Sequence, residues 1–285
     1  SLFNKSSNIG SWSYTGTVGD HNTDPLFKDA ANDDYSITAS SPAVDAGSDT
    51  YAPADDILGT TRANGSTTGA ADDLGCYEYT IEIYTWDGSE STAWATADNW
   101  SSGIVPTSST SVIIADVTNQ PSISSTVSVA ALTINSGADI TVSSNSLTVS
   151  GATDVDGTLN IDNATVNLDG SADFSNGTID FTHASGKITL SGAVTSLGTL
   201  DDAEGTVEYD LETQAVAADT YYNLTISTAG TKTAGGAITV NKDLTTAATT
   251  NCKLDMGANN LTLKGDLNVG ATDGLDLSDA SCTVT

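Results

Sequence analysis

The sequence predicts an all-β, elongated protein built as a parallel β-helix or β-solenoid, and three observations predict it. From residue 127 onward, short runs alternate apolar with small polar residues, the period of a strand with one buried face. Gly, Asn, Asp and Ser separate the runs, which are too short and too rich in β-branched residues for helices. Many runs recur every six to nine residues, so three of them fill one coil of a solenoid. A hairpin sandwich would ask for longer strands and repeated two-residue turns, and Ser-Asn-Gly-Thr at 175–178 is the one good candidate for such a turn.

Along the chain, the first recognisable stretch is NTDPLFKDAANDDYSITASSPAVDAGSD, followed by DDILGTTRANGSTTGAADDLGCYEY, within residues 22–79. Its DPLF, SPAVDAG and GCYEY elements resemble the C-terminal end of secreted right-handed parallel β-helix proteins of the pectate-lyase-like superfamily. The motif residues are Asp24, Pro25, Leu26 and Phe27, then Ser41 to Ala43 with Asp45 to Gly47, then Gly75, Tyr77, Glu78 and Tyr79. Cys76 departs from the family's usual Ala, and Ala63 from its usual Pro. The resemblance implies that residues 1–80 are the last coil and C-terminal tail of a parallel β-helix, so the fold class becomes all-β, right-handed parallel β-helix/β-solenoid.

Residues 81–130 hold Trp86, Trp94 and Trp100 and read as a cap or junction. Residues 131–285 read as a second solenoid of roughly seven to nine coils, truncated within a repeat. Its inward pairs are Leu132/Ile134, Ile140/Val142, Leu147/Val149, Leu159/Ile161, Val166/Leu168, Ile179/Phe181 and Ile188/Leu190. After a less regular stretch come Leu224/Ile226, Ile238/Val240, Leu254/Met256, Leu261/Leu263, Leu267/Val269 and Leu275/Leu277. One coil cannot pay its own ordering entropy, so stability belongs to the stack and the stack's ends need covering. The series Trp86, Trp94, Asn99, Trp100, Val105, Pro106, followed by LTINSGADITV, is similar to repeat modules of large bacterial surface adhesins. That resemblance implies an exported, adhesive or structural protein and assigns no ligand.

Composition narrows the function. The chain has 37 acidic and 8 basic residues for a formal charge of -29, so nucleic acid and anionic lipid are poor partners. No run of 18 apolar residues is present, and no membrane insertion of this segment is expected. An Asp-, Ser- and Thr-rich, Lys-poor surface suits an extracellular or bacterial cell-surface location. The openings SLFNKSSNIGSW and SCTVT at the two ends read like the interior of a strand pattern, as in a segment of a longer exported polypeptide.

The candidate site residues each have two readings. Trp86, Trp94 and Trp100 would either stack on surface glycans as an exposed strip or seal the first coil of the second solenoid, and the seal is favoured by their place just before the repeats. Asp154, Asp156 and Asp162 are the corner carboxylates from which a calcium site would be assembled, although DVDGTLNIDN fails the EF-hand spacing; Asp201, Asp202 and Glu204 form a second such set. Cys252 and Cys282 stand in phase with inward positions, as core thiols or as one disulfide. His21 and His183 lie in polar turns, and Arg62 is expected to pair with a carboxylate such as Asp55 or Asp73. No HExxH, GxSxG or P-loop occurs. The expected function is therefore a non-catalytic stalk or adhesin repeat region of a large surface protein, with surface glycans, or copies of itself in a filament, as partners. The alternative is an accessory or carbohydrate-binding part of a polysaccharide-degrading β-helix enzyme whose catalytic coils lie upstream.

Overall fold

The computed structural model describes residues 24–38, 41–47, 53–62, 72–80, 82–270 and 274–278, and the chain divides into two units at Ile81/Glu82. In the first unit, strands β1 (Phe27–Asp29) and β2 (Asp34–Ile37) pair antiparallel around a short 3-10 turn at Ala30–Asn32. Asp33 takes the left-handed conformation (φ 63°) that closes this turn. The expected last coil of a parallel β-helix finds no parallel pair among the described residues of this unit, and residues 1–23 lie outside them. Loops are instead tied together through side chains. Ser41 Oγ donates to Pro25 O at 2.6 Å, and the Asp73 carboxylate accepts from the Asp45 amide at 2.8 Å and from the Tyr79 amide, so the DPLF, SPAVDAG and GCYEY elements meet.

The second unit is a β-solenoid of about eight turns. Strand β3 (Ile83–Trp86) precedes the first complete turn, β4 (Ser111–Ile114), β5 (Ser122–Ile123) and β6 (Val127–Val129). The second turn is β7 (Ala131–Ile134) and the long β8 (Asp139–Val149), which bends over two faces. The third repeats this with β9 (Thr153–Val155) and β10 (Thr158–Leu168). The fourth is β11 (Ala172–Asp173), β12 (Thr178–Phe181) and β13 (Lys187–Leu190), and the fifth β14 (Val194–Ser196), β15 (Thr199–Leu200) and β16 (Thr206–Tyr209). The sixth is β17 (Gln214–Val216), β18 (Thr220–Tyr221) and β19 (Asn223–Ile226), and the seventh β20 (Gly230–Ala234), β21 (Ile238–Val240) and β22 (Leu244–Thr246). The eighth is β23 (Cys252–Asp255), β24 (Leu261–Leu263) and β25 (Leu267–Val269), after which β26 (Leu275–Asp276) begins another.

All pairing between these strands is parallel, and apart from a one-residue shift between β11 and β14 it is in register, so inward residues sit above their counterparts one turn earlier. On the third face Leu147, Val166, Ile188, Val207, Leu224 and Leu244 form one such column, all buried. Stacking reaches back to β3 and β4, well before residue 131 where the second solenoid was expected to begin. Asn176-Gly177, the hairpin-like turn, connects two strands that pair with other turns rather than with each other.

The inward expectation is met along most of the stack, with one correction at its C-terminal end. Leu267, Val269 and Leu277 are 46%, 44% and 36% exposed, and Leu275 is half-buried. Leu267 is in register with buried Leu244, so it faces inward. An inward side chain is buried only when turns cover it on both sides, and β25 is the last strand of its face among the described residues.

Candidate functional site

The sequence directs attention to the tryptophans, and the structure places all three inside. Trp86, Trp94 and Trp100 are 0%, 4% and 2% exposed. Trp86 and Trp94 lie parallel with ring centroids 6.4 Å apart, while Trp100 stands edge-on to both, at 5.1 and 4.6 Å. Such edge-to-face contacts set the ring quadrupoles favourably, and they leave no free indole face for a sugar. The Trp86 Nε1–H donates to Asn119 O at 2.8 Å and the Trp100 Nε1–H to Trp94 O at 2.9 Å, whereas Trp94 Nε1 is buried with no partner.

Local chemistry explains how this cluster is held. Asn99 is fully buried, and its carboxamide accepts from the Glu90 and Ser91 amides at 2.9 and 2.8 Å and donates to Ser91 Oγ and Ala93 O at 3.1 and 3.0 Å. Every hydrogen-bonding direction of that amide is used, so the 89–93 loop is pinned from within. Gly88 has φ 57°, and a Cβ there would lie 2.4 Å from Asn119 O, so the close crossing of Gly88 and Asn119 requires glycine. Asn119 Nδ2 returns a hydrogen bond to Gly88 O at 2.7 Å.

The same residues cover the first edge of the stack. The Ser101 amide donates to Thr85 O, and the Thr85 amide donates to Ser101 Oγ, so 99–101 run antiparallel beside β3 and occupy its free edge. On the next face the Ser122 amide donates to Thr92 O and the Trp94 amide to Ser122 O, laying 92–94 over β5. An otherwise open parallel edge is thus covered and plugged with indoles.

The carboxylate candidates behave differently. Asp154 stands near Asp156 and near Asp173 from the next turn, and burial together with those two charges raises its pKa. Asp156 Oδ1 accepts from Asn176 Nδ2 at 3.0 Å, while Asp162 stands on another face, in β10. The expected set of Asp154, Asp156 and Asp162 is therefore not brought together. Among the described residues, no three His, Cys, Asp or Glu side chains converge as a metal ion would require, the second set of Asp201, Asp202 and Glu204 included. For the first set the physical reason is the corner of the coil: Asp162, in β10, stands six and eight residues beyond Asp156 and Asp154, past the bend that follows β9.

Other predicted residues find ordinary partners. His183 Nδ1 accepts from the Ser185 amide at 3.1 Å in an exposed turn, and His21 lies outside the described residues. Cys252 is a buried free thiol donating to Ile226 O at 3.3 Å; Cys282, the other half of the proposed pair, also lies outside them. Arg62 corrects its expected partners. Its Nη1 donates to Glu78 Oε2 at 2.8 Å and to Asp73 O at 3.1 Å, and its Nη2 to Gly75 O at 2.9 Å. Asp73 offers Arg62 a hydrogen bond only from its carbonyl, because its carboxylate accepts from the Asp45 and Tyr79 amides; Asp55 pairs through its backbone with Thr61, and the ion pair of Arg62 among the described residues is with Glu78.

Sequence reasoning missed the buried polar residues of the later turns, Tyr209, Gln214, Tyr221 and Lys232. Lys232 is fully buried, its Nζ donating to Thr228 O and Ala229 O at 2.8 and 3.2 Å, and burial lowers its pKa. The available signal was a polar residue at an inward phase of the alternation.

Residues 85–194 match the model of a family described as a domain of unknown function (DUF8693), a span from within β3 to the start of β14. No curated protein and no solved structure matches the chain.

Proposed function

We propose that the second unit is a non-catalytic structural repeat region, a stiff spacer or stalk of an extracellular, surface-associated bacterial protein. The observation that carries this reading is the continuous parallel stack with an aliphatic interior, its first edge closed by buried tryptophans. Such a body is suited to transmitting load and presenting its outer side chains. Those outer rows are polar and regular: Thr158, Thr178 and Thr199 align on the second face, as do Thr220, Thr239 and Thr262. Contacts with surface glycans or with like copies would be made by these wet faces and not by the indoles. The test is a glycan array together with a panel of polysaccharide hydrolysis and lyase assays on the full chain. A stalk gives a blank in the assays and no tight ligand on the array; turnover of any polysaccharide overturns the reading.

A carbohydrate-binding accessory role is the second reading, and a feature of the first unit favours it. Phe27, Tyr35, Ile37, Leu74 and Tyr77 line an apolar cleft there, with Tyr35 43% exposed and edge-on to Phe27 at 5.5 Å. An array signal that disappears in Tyr35→Ala and persists in Trp94→Ala would select this alternative.

A further inference from the structure

The turns of the solenoid are not joined equally, and the exception has a definite place. Between every other pair of consecutive complete turns, backbone ladders run on all three faces. Between the fifth and sixth turns β16 pairs with β19, but β14 does not pair with β17, nor β15 with β18. The first-face sheet ends at β14 and a new one starts at β17; on the second face the break falls between β15 and β18. In place of the two missing ladders stand buried polar side chains. Gln214 Nε2 reaches back to donate to Leu190 O and Gly192 O at 3.0 and 2.6 Å. The Ala217 amide donates to Tyr209 Oη at 3.1 Å, Tyr221 Oη donates to Ala217 O at 2.7 Å, and the two hydroxyls lie 3.1 Å apart. These bonds close a ring only if the Tyr209 hydroxyl donates to Tyr221. A last clasp crosses from the seventh turn, where Asn241 Nδ2 donates to Asp202 O at 2.9 Å.

We propose that this seam is a built-in yielding joint, at which the sixth to eighth turns separate from the first five as one block before either block melts. Ladder bonds run along the axis of a solenoid, so axial load or a local opening acts on the junctions in series, and the weakest one gives first. At the seam one ladder and a few side-chain clasps do what three ladders do elsewhere. Gln, Asn and Tyr groups regain water as partners when they part, so opening there exposes fewer orphaned backbone groups than opening at any other junction. The joint goes beyond the spacer reading, since it concerns how the stack opens and not what the stack connects.

The test is native-state hydrogen exchange with mass-spectrometric readout on the full chain in rising urea. The expected result is that amides of β17 to β26 lose protection together, exchanging ~10-fold faster or more than those of β4 to β13 at the same sub-denaturing urea. Tyr221→Phe and Gln214→Leu should each move this first step to lower urea and leave the second unmoved, while Val166→Ala, inside the first block, should move only the second. Loss of protection in one concerted step, or loss from the first block first, overturns the joint. So does a Tyr221→Phe variant whose two blocks shift equally.

Discussion

Asn99 and Gly88 show how single residues decide the fate of the tryptophans. Without the Asn99 carboxamide the 89–93 loop has four unmet hydrogen bonds, and without glycine at 88 the chain cannot pass Asn119. Gly88→Ala should therefore lower the stability of the second unit by more than ~1–3 kcal/mol, the usual cost of a left-handed non-glycine residue alone, as read from urea melts. Trp100→Ala should cost about 3–5 kcal/mol by the same measurement, because it empties the centre of the indole cluster. The tyrosine pair makes an alkaline prediction. Burial pushes Tyr209 up to about 12, and burial with the neighbouring Tyr209 pushes Tyr221 well above its ordinary 10.0. A raised folded value means the neutral hydroxyls stabilise the fold fully below pH 10 and lose that contribution as pH rises through the folded values. Thermal melts of the second unit should fall between pH 10 and about 12, and Tyr221→Phe should flatten that fall.

Among elements, the first unit is governed by buried carboxylates and loop clamps more than by strands. Burial raises the pKa of Asp73 and of Glu78, outweighing the amide hydrogen bonds and the Arg62 charge that pull them down. Asp56 is the opposite case: burial raises it, yet amides of Glu78, Thr60 and Leu58 hold it below 3.8. With the sign worked through, Asp73 and Glu78 contribute most when protonated, and Asp56 when ionised. Melting of the first unit should thus rise as pH falls from neutral toward 4.5 and drop again below 3.8, a maximum that calorimetry across pH will display. Arg62→Ala should steepen the maximum's acidic-to-neutral slope, since the charge that pulls Glu78 and Asp73 down is gone, and lower the whole curve, since it strips Glu78 of its 2.8 Å ion pair and two carbonyls of their donor. The Arg62 partner was illegible in the sequence because five acidic residues within reach look alike there. Only the folded loops decide that Asp73 spends its carboxylate on amides while Glu78 faces the guanidinium.

For the whole molecule, charge and stacking act at different ranges. A formal charge of -29 repels itself, and few cations offset it locally: Lys187 bonds Glu208 at 2.8 Å and Lys253 bonds Asp276 at 2.9 Å, each across one turn. Raising ionic strength from ~0.01 M to ~0.15 M shortens the Debye length from about 30 Å to about 8 Å, so the melting temperature should rise with salt. A flat or falling salt dependence would show that the carboxylates are compensated in some other way. The alternation of apolar and polar residues determined by itself which side chains point inward, since a period of two needs no partner to be read, and the recurrence of the runs every six to nine residues made those strands a solenoid. The inward residues from Leu132 to Leu261 are buried where that pattern puts them. The tertiary structure alone decided which turns share ladders, that the indoles face one another, that the corner carboxylates diverge and that Leu267 is left partly uncovered. Each of those depends on what a neighbouring turn presents at a given height on the axis, a relation between residues some twenty positions apart that local periodicity does not encode.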